Sequence, residues 1–234
     1  MNKITWTIFA LVTVGILALL IIFSGNSKVD VSTIDANTIQ TASSQNGNIG
    51  DNVFGKRDSK VTLIEYADYQ CPGCAGLHPL VKSIVEQYKD EIQFVYRNFP
   101  LSYHQNALVS AASAEAAGLQ GKFWEMHDKI YETQDSWKDL LIADRGKFFE
   151  KLADELGLDI DKFKNDLANK SADFSVNKKI NFDLNIGKKA GVSGTPNFFL
   201  NGEKLEEDQF KNEAAFKKTL DTALKEAGIP IPTQ

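Results

Sequence analysis

VTLIEYADYQCPGC, residues 61–74, is the stretch that decides the fold. Val61 to Tyr66 is a β-branched, apolar run broken only by Glu65, and it predicts a buried strand. Pro72 suits the first turn of a helix, where its missing N–H is no loss. Leu77, Val81, Ile84, Val85 and Tyr88 then recur at helical spacing, so a helix follows the strand directly, with a kink expected at Pro79. Ile92 to Arg97 (IQFVYR) alternates as a second strand. Strand, helix and strand in that order imply parallel pairing.

The chain has only two cysteines, Cys71 and Cys74. A disulfide-stapled protein would space its cysteines widely, and a structural zinc site would need two more ligands nearby. His78, His104 and His127 do not form a matching half-site, so no metal and no cofactor is expected. C-x-x-C where a strand meets a helix reads instead as a dithiol that cycles through a Cys71–Cys74 disulfide, with Pro72 and Gly73 between the sulfurs. Cys71 would lie at the helix N-terminus, where unpaired N–H groups favour an anion. Its thiol is expected well below the usual ~8.5, which makes it the attacking thiolate and Cys74 the resolving thiol. Glu65 is either a buried carboxyl with a raised pKa, able to pass protons near Cys74, or a strand-edge residue facing water.

Helical patterns occupy residues 106–118, 122–131, 146–156, 161–168 and 171–186. Phe123 and Trp124 read as core of this region, His78 and His127 as packing residues, and His104 as a candidate for the edge of the site. Strand signals return at 197–200, and Asn201-Gly202 signals a hairpin. Phe216, Leu220 and Leu224 mark a last helix, stopped by Gly228 and Pro230. A small mixed sheet is therefore interrupted by helices.

Residues 4–23 (ITWTIFALVTVGILALLIIF) carry no charge, and as a helix would span roughly 30 Å. No small-residue cleavage site follows, so the segment reads as an uncleaved transmembrane anchor rather than a signal peptide. The expected localisation is a single-pass cell-membrane protein with its catalytic domain on the extracytoplasmic side. Residues 24–52, rich in Ser, Thr, Asn and Gly, read as a flexible linker. A net charge of −5 without a basic block excludes a polyanion-binding role.

VTLIEYADYQCPGC, NFPL (98–101), QGKFWEMHDKIYE (120–132) and GVSGTPNFFLNG (191–202) together resemble the DsbA-like thiol–disulfide oxidoreductases. The resemblance extends over residues 53–228. It implies an α/β thioredoxin-like domain from residues 53–104 and 190–228, with an all-helical insertion at 105–189. It also implies that Thr195-Pro196 is a substrate-binding cis-proline loop facing the dithiol, and that Glu65 is a buried acid beneath it. The expected partners are exported, unfolded proteins as substrates and a membrane quinone-linked thiol oxidase. Pro-Gly stands between the cysteines where the best-known members have Pro-His, so a milder oxidant is expected. A disulfide reductase or isomerase of the same fold is the alternative, and a metal- or peptide-binding module a third reading.

Overall fold

The computed structural model describes residues 29–168 and 176–232. One compact unit begins at Val31 and holds every element named below. Five strands, β1 (Val53–Gly55), β2 (Thr62–Ala67), β3 (Gln93–Asn98), β4 (Asn197–Leu200) and β5 (Glu203–Lys204), form one sheet in the order β1-β3-β2-β4-β5. β2 and β3 pair in parallel, with Glu65 opposite Tyr96, and every other pair is antiparallel. The parallel pair is joined by α1 (Pro72–Gln87), which continues through Pro79. Asn201 and Gly202 have φ of 51° and 88°, as a tight hairpin turn with two left-handed residues requires.

Both sheet faces are covered. Leu63, Phe94, Phe198 and Leu200 pack with Val81, Ile84 and Val85 of α1 and with Phe216, Leu220 and Leu224 of α8 (Glu213–Ala227). Between β3 and β4 the chain forms α2 (Ala107–Gly118), α3 (Phe123–Glu132), α4 (Gln134–Trp137), α5 (Ile142–Glu155), α6 (Ile160–Ala168) and α7 (Val176–Lys189). Their core contains Met126, Ile130, Trp137, Phe149, Phe163 and Ile180, and it is continuous with Tyr69, Cys71 and Cys74. The alanines of α2 let neighbouring helices approach it closely. Gly187 of α7 has a similar role, since a Cβ there would lie 2.8 Å from the Phe99 ring and 2.9 Å from Tyr66. Because helices cover both faces, β3 is buried at every position, Gln93 and Arg97 included, and not only at alternate ones.

The polar segment before β1 differs from the expected linker. Residues 24–28 lie outside the described residues, but from Val31 onward the segment packs on the body. Arg97, fully buried, donates to the carbonyls of Ala36 and Thr38, to Tyr66 Oη at 2.8 Å and to Asp51 Oδ2 at 2.7 Å. Lys179 of α7 bridges Asp51 Oδ1 at 2.8 Å and Asp183 Oδ1 at 2.6 Å. Burial alone would raise the Asp51 pKa, but Lys179 and then Arg97 outweigh it and hold the carboxyl at about 2. Two buried cations thus lock this stretch to strand and helix.

The expected localisation is corrected. Among the described residues no helix is long and apolar enough to cross a membrane. Residues 4–23, on which the anchor reading rested, lie outside the described residues.

Candidate functional site

Cys71 is the N-cap of α1, with extended backbone (φ −68°, ψ 122°), and Pro72 fills the first helical position. The Cys71 N–H donates to the carbonyl of Asp68 at 3.0 Å, and the Ala75 N–H donates to the Cys71 carbonyl at 3.1 Å. This fixes the first turn so that Cys71 stays at the rim, 9% exposed, while Cys74 sits inside at 1%. Both are free thiols.

The loop before β4 meets them. Thr195-Pro196 is a cis peptide, and the Cys71 thiol donates to the Thr195 carbonyl at 3.5 Å. A Cβ built on Gly73 would stand 3.7 Å from both Cys71 Sγ and Pro196 Cδ. The strand-end loop and the dithiol therefore face each other across Gly73, although they are far apart in the chain.

The two sulfurs differ sharply. A hydrogen bond from the Cys74 thiol is the largest influence on Cys71. Burial opposes it, and the Thr195 side chain and the N–H groups of Cys74 and Gly73 reinforce it; together they bring the Cys71 thiol down to about 5. The Thr195 hydroxyl is buried without a partner in the thiol form, so it is free to serve the thiolate. Burial, the neighbouring Cys71 sulfur and Glu65 push Cys74 well above the ordinary thiol value. The outer sulfur ionises readily and the inner one resists.

Glu65 is 4% exposed on β2, inside the sheet and not at its edge. Burial raises its carboxyl to about 8, and its charge is felt by Cys74 and Tyr131. The structure thus brings together Cys71, Cys74, Gly73, Thr195 and Pro196, with Glu65 buried behind the inner sulfur.

Other residues hold this arrangement without having announced themselves in the sequence. Asp68, 2% exposed, accepts from the N–H groups of Gln70 (2.8 Å) and Leu101 (2.9 Å), and pairs with His104 Nδ1 at 2.7 Å. His104 is thereby near the site but turned to Asp68. Gln134 of α4 donates to the carbonyls of Tyr69 (2.7 Å) and Cys71 (3.1 Å), so an inserted helix grips the turn bearing the dithiol. Asp68 was within reach as an acid three residues before Cys71; for Gln134 the sequence carries no such signal.

A family model described as thioredoxin matches residues 47–222. The Na+/H+ antiporter NhaA 3 of Salinispora tropica is 38% identical over 155 residues, 66% of this chain but 22% of the antiporter. The chain thus spans about a fifth of the length of the curated relatives it matches. Their names describe an antiporter, not a single-pass anchored oxidoreductase, and give the expected localisation no support. Among solved structures, oxidised BdbD of Bacillus subtilis aligns with a TM-score of 0.64 and 20% identity, over 80% of this chain and 98% of that one. The α-DsbA1 of Wolbachia pipientis aligns with a TM-score of 0.63 and 23% identity, over 76% and 92%. The chain belongs to the thioredoxin family, with the fold of the DsbA-like thiol–disulfide oxidoreductases.

Proposed function

We propose that the chain is a thiol–disulfide oxidoreductase that introduces disulfides into exported, unfolded proteins through Cys71 and Cys74. The observation that carries this reading is the asymmetry of the pair: a rim thiol held near 5 beside the Thr195-Pro196 loop, and a buried thiol pushed upward.

In the oxidised form a client thiolate attacks Cys71 Sγ. The Cys71–Cys74 bond breaks, a client–Cys71 disulfide forms, and Cys74 leaves as a thiolate. Because Cys74 is buried it must be protonated, and the neutral Glu65 carboxyl is the nearby acid. A second client thiolate then attacks its own sulfur in the mixed disulfide and expels Cys71, whose low pKa makes it a good leaving group. The client loses two electrons and gains a disulfide, and the protein keeps the electrons as a dithiol. A membrane quinone-linked thiol oxidase is the class of partner that would accept them. Thr195 and Pro196 line the rim where the client backbone must lie, with the Thr195 hydroxyl available to Cys71 as it becomes a thiolate.

The test mixes oxidised protein with a reduced, unfolded client bearing several thiols, and follows both by alkylation. Client disulfides should appear as the Cys71–Cys74 bond is lost, mole for mole. Rapid reduction of a client disulfide by the dithiol form, without the forward transfer, would replace this reading with a reductase.

A further inference from the structure

One turn beyond Cys74 along α1, the side chains of His78, His127 and Asp128 converge. Each offers one ligand atom, and these atoms lie within 4.8 Å of one another. His78 comes from α1, the other two from α3, so the cluster bridges the dithiol helix and the inserted helices. We infer that these three residues form a binding site for a first-row divalent transition ion of the zinc class, separate from Cys71 and Cys74.

Four observations support it. His78 Nε2 is buried and makes no hydrogen bond, yet it points at Asp128 Oδ1 from 3.5 Å. That is too long for a good hydrogen bond, and an ion between the two atoms would satisfy both. His127 Nδ1 bonds Tyr69 Oη at 3.0 Å. A ligating imidazole uses its second nitrogen in this way, and the tautomer that donates from Nδ1 leaves the Nε2 lone pair free. Asp128 Oδ2 is held by Lys82 at 2.8 Å, which orients the carboxylate while Oδ1 faces His78. Lys82 weakens the site by repulsion, but it is half exposed and also pairs with Glu132 at 2.8 Å. Finally, a cavity of about 80 Å³, lined by Phe54, His78, Lys82, Trp124, His127 and Asp128, gives an ion access and room for a water as fourth ligand. Two imidazoles, one carboxylate and an open position suit zinc better than calcium or magnesium, which prefer oxygen. Ligand atoms around zinc stand roughly 3.3 Å apart, so His78 and Asp128, at 3.5 Å, are already close to that spacing, and the widest pair of the three must close by up to about 1.5 Å.

The experiment uses the full chain in its oxidised form, so that the Cys71–Cys74 disulfide offers no thiolate to the metal. Zinc chloride is titrated calorimetrically, and melting is followed with zinc and again after EDTA. One equivalent should bind, and at ~100-fold the dissociation constant the melting temperature should rise by about 5–10 °C, reversibly. Asp128→Asn and His78→Gln should each weaken binding at least tenfold. Asp128→Asn lies at the surface and keeps the fold, so the test stands even if His78→Gln does not fold. Wild-type affinity in a folded Asp128→Asn variant, or no binding to the oxidised chain at millimolar zinc, overturns the inference.

Discussion

Replacing Glu65 by Gln should make the protein more stable and a poorer catalyst. A carboxyl with an ordinary pKa of 4.5 is held at about 8 in the fold, and burial is the cause. A raised folded pKa means the native state binds the proton more tightly, so its contribution to stability is fully present below 4.5 and is lost as pH rises through 8. At pH 7 the loss is about 3 kcal/mol, and at pH 5 it is under ~1 kcal/mol. Gln has nearly the same shape, never ionises and escapes this penalty. Glu65→Gln should therefore gain about 3 kcal/mol at pH 7 and under ~1 kcal/mol at pH 5, which corresponds to melting roughly 6–12 °C higher at neutral pH. Urea unfolding of the reduced proteins at both pH values measures the gain directly. In the same variant, client oxidation should slow, because Cys74 loses its proton donor. A Gln variant no more stable than the parent at pH 7, or equally favoured at both pH values, would refute the reasoning about burial. Unchanged oxidation rates between pH 5 and pH 8 would leave Glu65 without a part in the chemistry.

Reduction itself is a second perturbation. Closing the four-residue disulfide loop favours the oxidised form by about 1.9 kcal/mol. A Cys71 thiolate with a pKa of about 5 favours the reduced form by at most about 3 kcal/mol at pH 7, less what water screens at the rim. That contribution is present above the unfolded thiol pKa and lost as pH falls through 5, so the two forms should melt within a few degrees of each other at pH 7. An oxidised form that melts far above the reduced one would contradict a net oxidant. Gly73→His has room, its Cβ meeting only ordinary contacts at 3.7 Å; an imidazolium over Cys71 should lower the thiol by about one unit or more, read from thiolate absorbance against pH. Asp51→Asn removes the carboxylate shared by Arg97 and Lys179 and leaves both cations poorly compensated in the core. Denaturant unfolding should show a loss of about 3–5 kcal/mol, and a loss below ~1 kcal/mol would mean the network is not what holds residues 31–52.

Much of the site could be read from local chemistry. Cys71-Pro72-Gly73-Cys74 carries its own helix start, and Asn201-Gly202 carries its own turn. Thr195-Pro196 gained meaning only from its likeness to a family, since nothing local says that a loop so distant in sequence returns to the dithiol. The stretch before β1 misled for a physical reason. Its order comes from backbone carbonyls and Asp51 meeting Arg97 and Lys179, partners distant in sequence, while its own Ser, Thr and Asn content shows no period. β1 is three residues long, too short for alternation to register. The burial of Arg97 and Lys179 could not be read in advance, because a single chain of letters does not show which faces of a strand or helix will be covered. Gln134, which grips the carbonyls of Tyr69 and Cys71, is an ordinary polar residue until α4 is folded against α1.

If Cys71 exchanges disulfides with clients and Cys74 resolves them, the mixed disulfide can be trapped, and trapping it tests these roles most directly. Cys74→Ser and Cys71→Ser variants are each offered clients with disulfides and are then separated on non-reducing gels. Cys74→Ser should accumulate clients joined through Cys71, because no inner thiolate remains to release them, and Cys71→Ser should trap none, its remaining sulfur being buried and protonated. Equal trapping through either cysteine, or none through Cys71, would contradict this assignment of roles.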